Sequence, residues 1–510
     1  NVTNKMVFKG NIEYLTENEI GIRLRATQQN PSVLPAESLY AIEHDTMDTT
    51  FRSMYQGLYI YLSARKERRD LLLSQRPPRF DESLDSMIFC SEDDFTRVAL
   101  KAKAAQDYFL LIGPPGTGKT SCALKKMVET FHADKDAQIL LLSYTNRAVD
   151  EICKSLASIA PAVDFIRVGS ELSCDEAYRG HLIENELSSC NRRSEVYERI
   201  RNCRIIVGTV AAISGKPELF RLKHFDVAII DEATQILEPQ LLGILCARGE
   251  DGKDAIDKFV LIGDHKQLPA VVQQNTEQSA IYDESLLSIG LTNLKDSLFE
   301  RLYRNCTATV HRSYDMLCRQ GRMHPEVALF ANRAFYGGRL IPVGLPHQIE
   351  SSDTICRLAF YPSVPEKAGT SAKINYSEAR IVADLAVRIY EDHQTDFDES
   401  RTLGIITPYR SQIALIKKEI ESLGIPALNR ILVDTVERFQ GSERDVIIYS
   451  FCVNYPYQLK FLSNLTEEEG VLIDRKLNVA LTRARKQMFI TGVPELLERN
   501  PLYKSLLKLI

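Results

Sequence analysis

The chain of 510 residues is too long to form a single hydrophobic core, which predicts two to four domains. Hydrophobic residues make up 44% of it and charged residues 26%, which is typical of a soluble globular protein and excludes a fibrous or disordered chain. The formal net charge of -5 excludes a general basic coat for nucleic acid, so any nucleic-acid contact must be a local groove.

The first 44 residues alternate polar and apolar side chains, as half-buried strands do, which predicts a small accessory β-domain resembling an incomplete barrel. Residues 45–90 are predicted to form a stalk helix and a linker, because the spacing changes to that of a helix until Pro77 and Pro78. The expected apolar face of this helix consists of Met54, Leu58, Tyr61 and Leu62. Because the chain begins with Asn1, the sequence leaves open whether domains precede it.

One dense basic run lies in the predicted stalk, comprising Arg65, Lys66, Arg68 and Arg69. It has two interpretations, a solvated helix face or a contact with nucleic acid, and the sequence favours the first. The eleven cysteines contain no Cys-x-x-Cys pair, and Cys246 and Cys452 fall in apolar runs. They are interpreted as buried free thiols of an intracellular protein in a reducing compartment, without structural zinc or an iron–sulfur cluster in this chain.

Short apolar strands, each followed by a turn and an amphipathic helix, begin at residue 107 and recur after about residue 310. This pattern is typical of parallel α/β sheets and predicts two tandem domains, at 91–305 and 306–510. The polar segment at about 170–202 has no strand signal and is predicted to be a helical insertion. The strands are predicted at residues 108–112, 139–143, 205–209, 227–230, 259–262, 403–407, 431–436, 446–451 and 488–491. No apolar run approaches the roughly 18 to 20 residues that cross a bilayer, so no membrane contact is expected.

A glycine-rich loop follows the first of these strands and opens a helix, which is the context that a phosphate-binding loop requires. Glycines let backbone N–H groups close around a β-phosphate, Lys119 reaches the β- and γ-phosphate oxygens, and the Thr120 hydroxyl is a ligand for Mg²⁺. The loop therefore predicts an ATP site. Its residues are Gly113, Pro114, Pro115, Gly116, Thr117, Gly118, Lys119 and Thr120.

Two carboxylates, Asp231 and Glu232, end the predicted strand at 227–230. An acidic pair at a strand end is more often a cap, but after a phosphate-binding loop it completes a magnesium site. Asp231 is predicted to hold the metal, and Glu232 to orient and deprotonate the attacking water.

The next strand is followed by Gly263-Asp-His-Lys-Gln-Leu-Pro269, and further motifs follow in order along residues 91–495. Together they resemble the superfamily 1 helicases, and more narrowly the up-frameshift group of subgroup B, to which the nonsense-decay RNA helicase and the replication helicase-nuclease belong. The resemblance implies two RecA-like P-loop domains, with the N-terminal β-domain, stalk and insertion as accessories. The further motifs are Ser143-Tyr-Thr-Asn-Arg-Ala-Val-Asp150, Gly321-Arg-Met-His-Pro325, Thr407-Pro-Tyr-Arg410, Gln440-Gly-Ser-Glu443 and Asn478-Val-Ala-Leu-Thr-Arg-Ala-Arg485.

The resemblance also assigns roles to single residues. It implies that Gln267 senses the γ-phosphate, that Arg322 and Arg483 are arginine fingers, and that Glu443 contacts ribose or metal-bound water. The phosphates of a single strand would be held by Thr145, Asn146, Thr209, Thr407 and Thr435. The implied activity is that of a monomeric ATP-dependent motor moving 5′ to 3′ on single-stranded or partly duplex DNA or RNA.

Two positions depart from the family at the adenine site. Thr96 stands where relatives carry a glutamine that bonds the adenine edge, and Gly321 stands where they carry an aromatic residue that stacks on the base. The loss of both groups predicts relaxed nucleotide choice, with GTP and other triphosphates hydrolysed nearly as well as ATP, unless Tyr409 or another aromatic residue substitutes.

Two other functions remain open at this stage. The same motifs can drive a nucleotide-gated switch that clamps or remodels complexes without unwinding. A structural protein with an inactive ATP site is the weakest hypothesis, because the predicted catalytic residues Lys119, Asp231, Glu232, Gln267, Arg322 and Arg483 are all present.

Overall fold

The computed structural model describes residues 8, 10–24, 39–42, 50–272, 274–308, 312–350, 355–366, 371–468 and 470–510. The strands in these residues are β1 Gly10–Leu15, β2 Ile20–Leu24, β3 Tyr108–Ile112, β4 Ile139–Ser143, β5 Phe165–Val168, β6 Ile205–Thr209, β7 Phe225–Ile230, β8 Ile256–Gly263, β9 Tyr314–Met316, β10 Arg319–Gln320, β11 Ile341–Pro342, β12 Leu358–Pro362, β13 Leu403–Ile406, β14 Leu432–Asp434, β15 Arg444–Ser450, β16 Leu465–Glu468, β17 Val471–Asp474 and β18 Ala484–Gly492.

Helices follow most of the strands. They are α1 Thr50–Ser63, α2 Lys66–Leu72, α3 Asp85–Cys90, α4 Asp94–Ala104, α5 Lys125–His132, α6 Asn146–Ala157, α7 Ile183–Glu186, α8 Arg193–Asn202, α9 Val210–Ser214, α10 Glu218–Leu222, α11 Glu238–Leu245, α12 Glu284–Ser288, α13 Leu298–Ala308, α14 Pro325–Tyr336, α15 Pro346–Ile349, α16 Tyr376–Asp392, α17 Arg410–Ser422, α18 Val436–Phe439, α19 Leu459–Leu462, α20 Arg475–Leu481, α21 Pro494–Leu497 and α22 Pro501–Leu507. In the described part of the chain, no helix is both long and apolar enough to cross a membrane.

The N-terminal unit spans residues 1–52. Its described strands β1 and β2 form an antiparallel hairpin with a register shift between Ile12 and Tyr14. An ion pair between Arg23 and Glu13 crosses the two strands. Most of the remaining residues of the predicted accessory β-domain lie outside the described ranges, so a barrel stays a prediction.

The described part of the second unit, residues 53–510, contains the two-stranded pairs β10-β11 and β16-β17 and two large parallel sheets. The first has the order β5-β6-β4-β7-β8-β3-β9, and every neighbouring pair is parallel. Successive residues of β3 enter two different cores, because Tyr108 and Leu110 pack on one face of the sheet and Phe109 and Leu111 on the other. Burial on both faces explains why these strands are uninterrupted apolar runs in the sequence.

Strand β9 places the end of the first sheet beyond the sequence-based boundary at residue 305. Residues Tyr314 to Met316 of β9 pair with Leu110 to Ile112 of β3. The first sheet therefore includes residues beyond the predicted boundary. The strand was missed because three half-buried residues carry no periodic signal.

The second sheet has the order β12-β18-β15-β13-β14 and is also parallel throughout. The domain that contains the second sheet contacts the first domain through both polar and apolar side chains. Arg475 of α20 pairs with the buried Glu300 of α13, and His265 Nε2 lies 2.9 Å from Glu468 Oε1 of β16. Leu268, which follows β8, packs into the core of the second domain. The two domains thus meet directly beside the loop at 263–269.

The predicted stalk is two helices rather than one long helix. Helix α1 ends at Ser63, and α2 begins at Lys66 after the buried Ala64. The buried face of α1 also differs from the prediction, because Leu58 and Leu62 are exposed, whereas Gly57 packs against α11. A methyl group at Gly57 would lie 2.3 Å from the carbonyl oxygen of Pro239, so α1 and α11 pack closely at this glycine. Ile60 and Tyr61 of α1 also pack against the core of the first domain.

The basic run in α2 serves the fold. The Arg68 guanidinium is 5% exposed and donates to the carbonyl oxygens of Ile256 and Asp257 at 2.5 and 3.1 Å. Arg65 Nη2 lies 2.6 Å from Asp254 Oδ2, and Arg68 Nε lies 3.5 Å from the same oxygen. Arg65 and Arg68 thus anchor α2 to the start of β8, a structural role that neither interpretation of the basic run included.

We expect Arg68→Ala to lower the free energy of unfolding by about 3 kcal/mol, because it removes a partner from the buried Asp254 and two backbone carbonyls. Lys66→Ala is the matched control, since the Lys66 side chain is 83% exposed, and it should change stability by less than about 0.5 kcal/mol. Urea denaturation of the three proteins measures the difference. Equal stability of the two variants would contradict a structural role for Arg68.

The segment at 170–202, which the sequence predicted to be helical, contains short helices. It contains α7, α8 and 3₁₀ turns at Glu171–Ser173 and Glu176–His181. The cysteines are all free thiols, but only some match the prediction of burial. Cys246 and Cys452 are buried, whereas Cys90, Cys122 and Cys356 are exposed.

Candidate nucleotide and nucleic-acid site

The phosphate-binding loop leaves the buried strand β3 and enters a π-helical turn at Lys119–Leu124, which continues as α5. Gly116 and Gly118 have φ angles of 76° and 75°, a region that only glycine adopts without strain. A methyl group on Gly116 would also lie 2.5 Å from Cβ of Arg322. The glycines therefore allow both the turn and the close approach of the second domain.

The side chains at the end of the loop meet the carboxylates that follow β7. Thr120 Oγ1 donates to Asp231 Oδ2 at 2.5 Å, and Lys119 Nζ lies 3.2 Å from Glu232 Oε1. Asp231 is 1% exposed, and Ser143 at the end of β4 donates to its backbone oxygen. Sheet order explains this convergence, because β4, β7, β8 and β3 are neighbours and the motif residues follow their carboxyl ends.

Glu232 has the left-handed backbone angles φ 53° and ψ 37°, which are uncommon for a residue with a side chain. Gln235 Nε2 donates to Glu232 Oε2 at 2.8 Å and fixes the carboxylate. Burial alone would raise the pKa of Glu232, but Lys119 and Gln235 outweigh burial and lower it. Burial and the neighbouring Glu232 raise the pKa of Asp231. Lys119 and Gln235 thus favour the charged form of Glu232.

Gln267 lies between the two domains. Its Nε2 donates to Asp264 Oδ2 at 2.8 Å, and its Oε1 accepts from Arg483 Nη2 at 3.1 Å. The Tyr336 hydroxyl donates to the same Asp264 oxygen at 2.7 Å and accepts from Asn478 Nδ2. A buried hydrogen-bond chain thus joins the loop after β8 to α14 and α20 of the second domain.

Both predicted finger arginines lie at this boundary. Arg322 Nε lies 2.5 Å from Glu443 Oε2, and the adjacent Gly321 donates its backbone N–H to the Gly116 oxygen of the phosphate-binding loop at 2.8 Å. Burial and repulsion from Arg322 lower the pKa of Arg483 to about 9. Two guanidinium groups therefore share a buried region beside the loop, where an anionic group would be strongly stabilised.

The predicted nucleic-acid residues lie at or just after the carboxyl ends of β4, β6, β13 and β14. Thr145 is exposed and caps α6, which begins at the half-buried Asn146. Thr209 caps α9, and Thr435 precedes α18. Thr407 is fully buried, and its hydroxyl has no hydrogen-bond partner among the described residues. Burial of this kind does not fit the predicted surface contact by Thr407.

The structure shows which side chains surround Thr96 and Gly321, the two positions that depart from the family at the adenine site. Asp93 is the N-cap of α4, and its side chain accepts hydrogen bonds from Thr96 Oγ1, at 2.6 Å, and from the Thr96 backbone N–H. A methyl group on Gly321 would lie 3.2 Å from Leu345 and 3.4 Å from Val343, which are aliphatic rather than aromatic. An aromatic ring does approach the loop from the first domain, because Phe95 Cζ lies 3.4 Å from where a methyl group on Gly118 would be. Tyr409 instead accepts a hydrogen bond from Gln458.

Two family models described as "AAA domain" match the chain, one at residues 91–195 and 184–275 and the other at residues 294–495. They cover both sheets and every residue of the site described above. The DNA replication ATP-dependent helicase/nuclease DNA2 of Gallus gallus is 28% identical over 507 residues, which are 94% of this chain and 45% of the relative. This chain belongs to the superfamily 1 helicases.

Other comparisons give the extent of the similarity. The DNA polymerase alpha-associated DNA helicase A of Saccharomyces cerevisiae is 24% identical over 90% of this chain and 73% of the relative. An arterivirus nonstructural protein 10 helicase in complex with DNA is 15% identical, with a TM-score of 0.37, over 78% of this chain and 62% of that chain. The helicase chain spans less than half the length of the DNA2 relative.

Sequence reasoning missed several residues that shape this helicase's site. Asp264, Tyr336 and Asn478 form the buried chain around Gln267, and Gln235 holds Glu232. Asp264 and Asn478 lie inside matched motifs, which was an available signal. Tyr336 ends an ordinary amphipathic helix, so only its tertiary contact reveals it.

Proposed function

We propose that this helicase hydrolyses ATP between its two α/β domains and uses the cycle to move along a single strand of nucleic acid. The observation that carries the proposal is the hydrogen bond, 3.1 Å long, between Gln267 of the first domain and Arg483 of the second. Groups from both domains are thus within reach of one ligand. The RecA-like boundaries and the site roles below are part of the same proposal.

The residues fit Mg²⁺ and a triphosphate. The Thr120 hydroxyl and an Asp231 carboxylate oxygen lie 2.5 Å apart, and both are oxygen ligands of the kind that Mg²⁺ prefers. When bound, Mg²⁺ would neutralise part of the negative charge on the phosphates. Lys119 binds the β- and γ-phosphate oxygens, and Glu232 accepts the proton of the attacking water. Gln235 orients the Glu232 carboxylate for that transfer.

Arg322 and Arg483 stabilise the charge that develops on the γ-phosphate and the leaving oxygen. Both side chains belong to motifs of the second domain, so their approach depends on how the domains close. Glu443 holds Arg322 at 2.5 Å, and the attraction of Arg322 outweighs burial and lowers the pKa of Glu443. Turnover therefore depends on domain closure, and closure becomes the mechanical step.

Residues from both domains hold the phosphates of the strand, without reading its sequence. Thr145, Asn146, Thr209 and Thr435 carry this role. Arg147 of α6 donates to the Gly441 oxygen of the second domain at 3.3 Å. A shift of one set relative to the other would advance the strand by about one nucleotide per ATP. By similarity to subgroup B, the proposed direction is 5′ to 3′, and the motor is proposed to act as a monomer.

DNA is the proposed substrate, in an intracellular reducing compartment, because the named relatives are DNA replication and DNA polymerase-associated helicases.

A nucleotide-gated switch is the second candidate function. It is favoured by the buried chain of hydrogen bonds through Gln267 and Asp264, which can transmit nucleotide binding without strand movement. ATPase assays with matched DNA and RNA single strands, followed by unwinding of duplexes with 5′ or 3′ overhangs, separate the candidates. A motor requires stimulation by single strands and unwinding from the 5′ overhang. Stimulation without unwinding supports the switch.

We expect relaxed nucleotide choice. The Thr96 hydroxyl already donates a hydrogen bond to Asp93, and Gly321 has no aromatic ring to stack on a base. The site therefore has phosphate contacts but few base-specific ones. Loss of an aromatic stack removes about 1 to 3 kcal/mol of base affinity. The kcat/KM for GTP should then be within about tenfold of that for ATP in the presence of a single strand.

A hundredfold preference for ATP would contradict this expectation. Phe95→Ala provides the matched comparison, because Phe95 is the aromatic residue next to Gly118. If its ring substitutes for the missing stack, the variant raises KM for ATP and GTP alike.

A further inference from the structure

Three aromatic side chains form a surface at the carboxyl end of β15, in the second domain. Tyr455 and Tyr457 have stacked rings with centroids 5.8 Å apart and an angle of 15° between their planes. Phe461 meets Tyr457 edge to face at 6.5 Å. Tyr457 and Phe461 are 55% and 69% exposed. We call Tyr455, Tyr457 and Phe461 the aromatic platform.

The platform belongs to a firmly anchored segment. Asn454 Nδ2 donates to the Ile374 oxygen at 2.7 Å, and Gln458 Nε2 donates to the Ala372 oxygen at 2.8 Å. The Gln458 Oε1 atom accepts from the backbone of Asn454 and Tyr455. Leu459 and Leu462 of the same segment are buried in the domain core. The rings are therefore held at the surface by a rigid support rather than exposed on a loose loop.

The position of the platform indicates what it binds. Strand β15 pairs with β13, and β13 pairs with β14, so the platform shares one sheet edge with the residues after those strands. Thr435 follows β14, and Tyr409 follows β13 and accepts a hydrogen bond from Gln458. The exposed Lys460 lies within the platform segment and adds a positive charge. The surface thus combines flat rings with a cation next to the proposed phosphate contacts.

We propose that the aromatic platform stacks on bases of the single strand in the second domain. The proposal rests on the proposed function and adds a base contact to phosphate contacts. Every base has a π-face, so stacking of this kind tolerates any sequence. Two adjacent exposed rings accommodate one or two bases, while Lys460 attracts the neighbouring phosphate. An apolar protein segment is the competing occupant, and the experiment distinguishes it.

The test compares two strands of equal length and charge, a 20-nucleotide oligothymidine and the same backbone with abasic sites throughout. Binding of each to the full chain is measured by fluorescence anisotropy for the unaltered protein, Tyr457→Ala/Phe461→Ala and Tyr457→Phe. Tyr59→Ala is the matched control, because Tyr59 is 73% exposed on α1. The double variant should bind oligothymidine about tenfold to hundredfold more weakly, with unchanged affinity for the abasic strand. Tyr457→Phe retains the ring and should bind as the unaltered protein does.

Equal losses on both strands would overturn the proposal, because they indicate a backbone contact or damage to the fold. No loss on either strand would also overturn it and would favour the apolar protein segment. The unaltered protein separates this failure from that of the proposed function. If oligothymidine stimulates its ATPase but the double variant binds normally, only the platform is wrong. If oligothymidine neither binds nor stimulates, both proposals fail.

Discussion

Glu232→Gln is expected to lower the single-strand-stimulated kcat for ATP by about 10² to 10⁴-fold, the usual contribution of a general base. The amide cannot accept the proton of the attacking water. The variant keeps the shape of the side chain, so ATP affinity should remain within a few-fold of that of the unaltered protein. Steady-state ATPase assays and equilibrium binding of a nucleotide measure these two effects separately.

The structure makes this substitution informative, because Glu232 is held by two groups with different roles. Lys119 lies 3.2 Å from one carboxylate oxygen, and Gln235 donates to the other. Glu218→Gln, an exposed substitution of the same type on α10, is the control and should retain full activity. If Glu232→Gln hydrolyses ATP at the normal rate, another group is the base and the assigned chemistry is wrong.

Arg322→Ala and Arg483→Ala are each expected to lower kcat by about 10³ to 10⁵-fold, as the loss of an arginine finger does in related phosphoryl transfer. Both guanidinium groups lie beside the phosphate-binding loop but belong to the second domain. The double variant should lose scarcely more than either single variant, because residues that act as a unit contribute non-additively. Stimulated ATPase rates at saturating ATP measure the effect.

Arg333→Ala serves as the control, since Arg333 is exposed on α14, shortly after Arg322 in the chain. Folding is verified by melting temperature, because Arg483 is buried and its removal also costs stability. Losses below tenfold for both arginine variants would contradict the finger assignment. They would place the positive charge for catalysis elsewhere.

The sequence predicted the central strands of both sheets because each is buried on two faces and therefore reads as an apolar run. Strands β3, β4 and β6 begin and end where the sequence placed them. The short strands β5 and β12 lie at sheet edges and were missed. Strand β12 ends in Pro362, and its residues are half-buried or exposed, so its pattern resembles that of a loop.

The stalk shows a second limit of the sequence. A helical period was visible, but its packing face was predicted only in part, because α1 docks through Gly57, Ile60 and Tyr61, and of these only Tyr61 belonged to the predicted face. Small residues at a close helix crossing carry no hydrophobic signal. The basic run was equally ambiguous until Asp254, almost two hundred residues away in the chain, was placed beside Arg65 and Arg68.

The sequence by itself determined the parallel α/β class and the local chemistry of the phosphate-binding loop, because strand, turn, lysine and threonine are contiguous there. The tertiary structure alone decided which distant groups meet. The hydrogen bond between Gln267 and Arg483, that between Tyr336 and Asp264, and the ion pair between Arg475 and Glu300 depend on strand order and side-chain packing. Neither residue type nor spacing specifies those long-range contacts, since each is set by how the two sheets fold and close on one another.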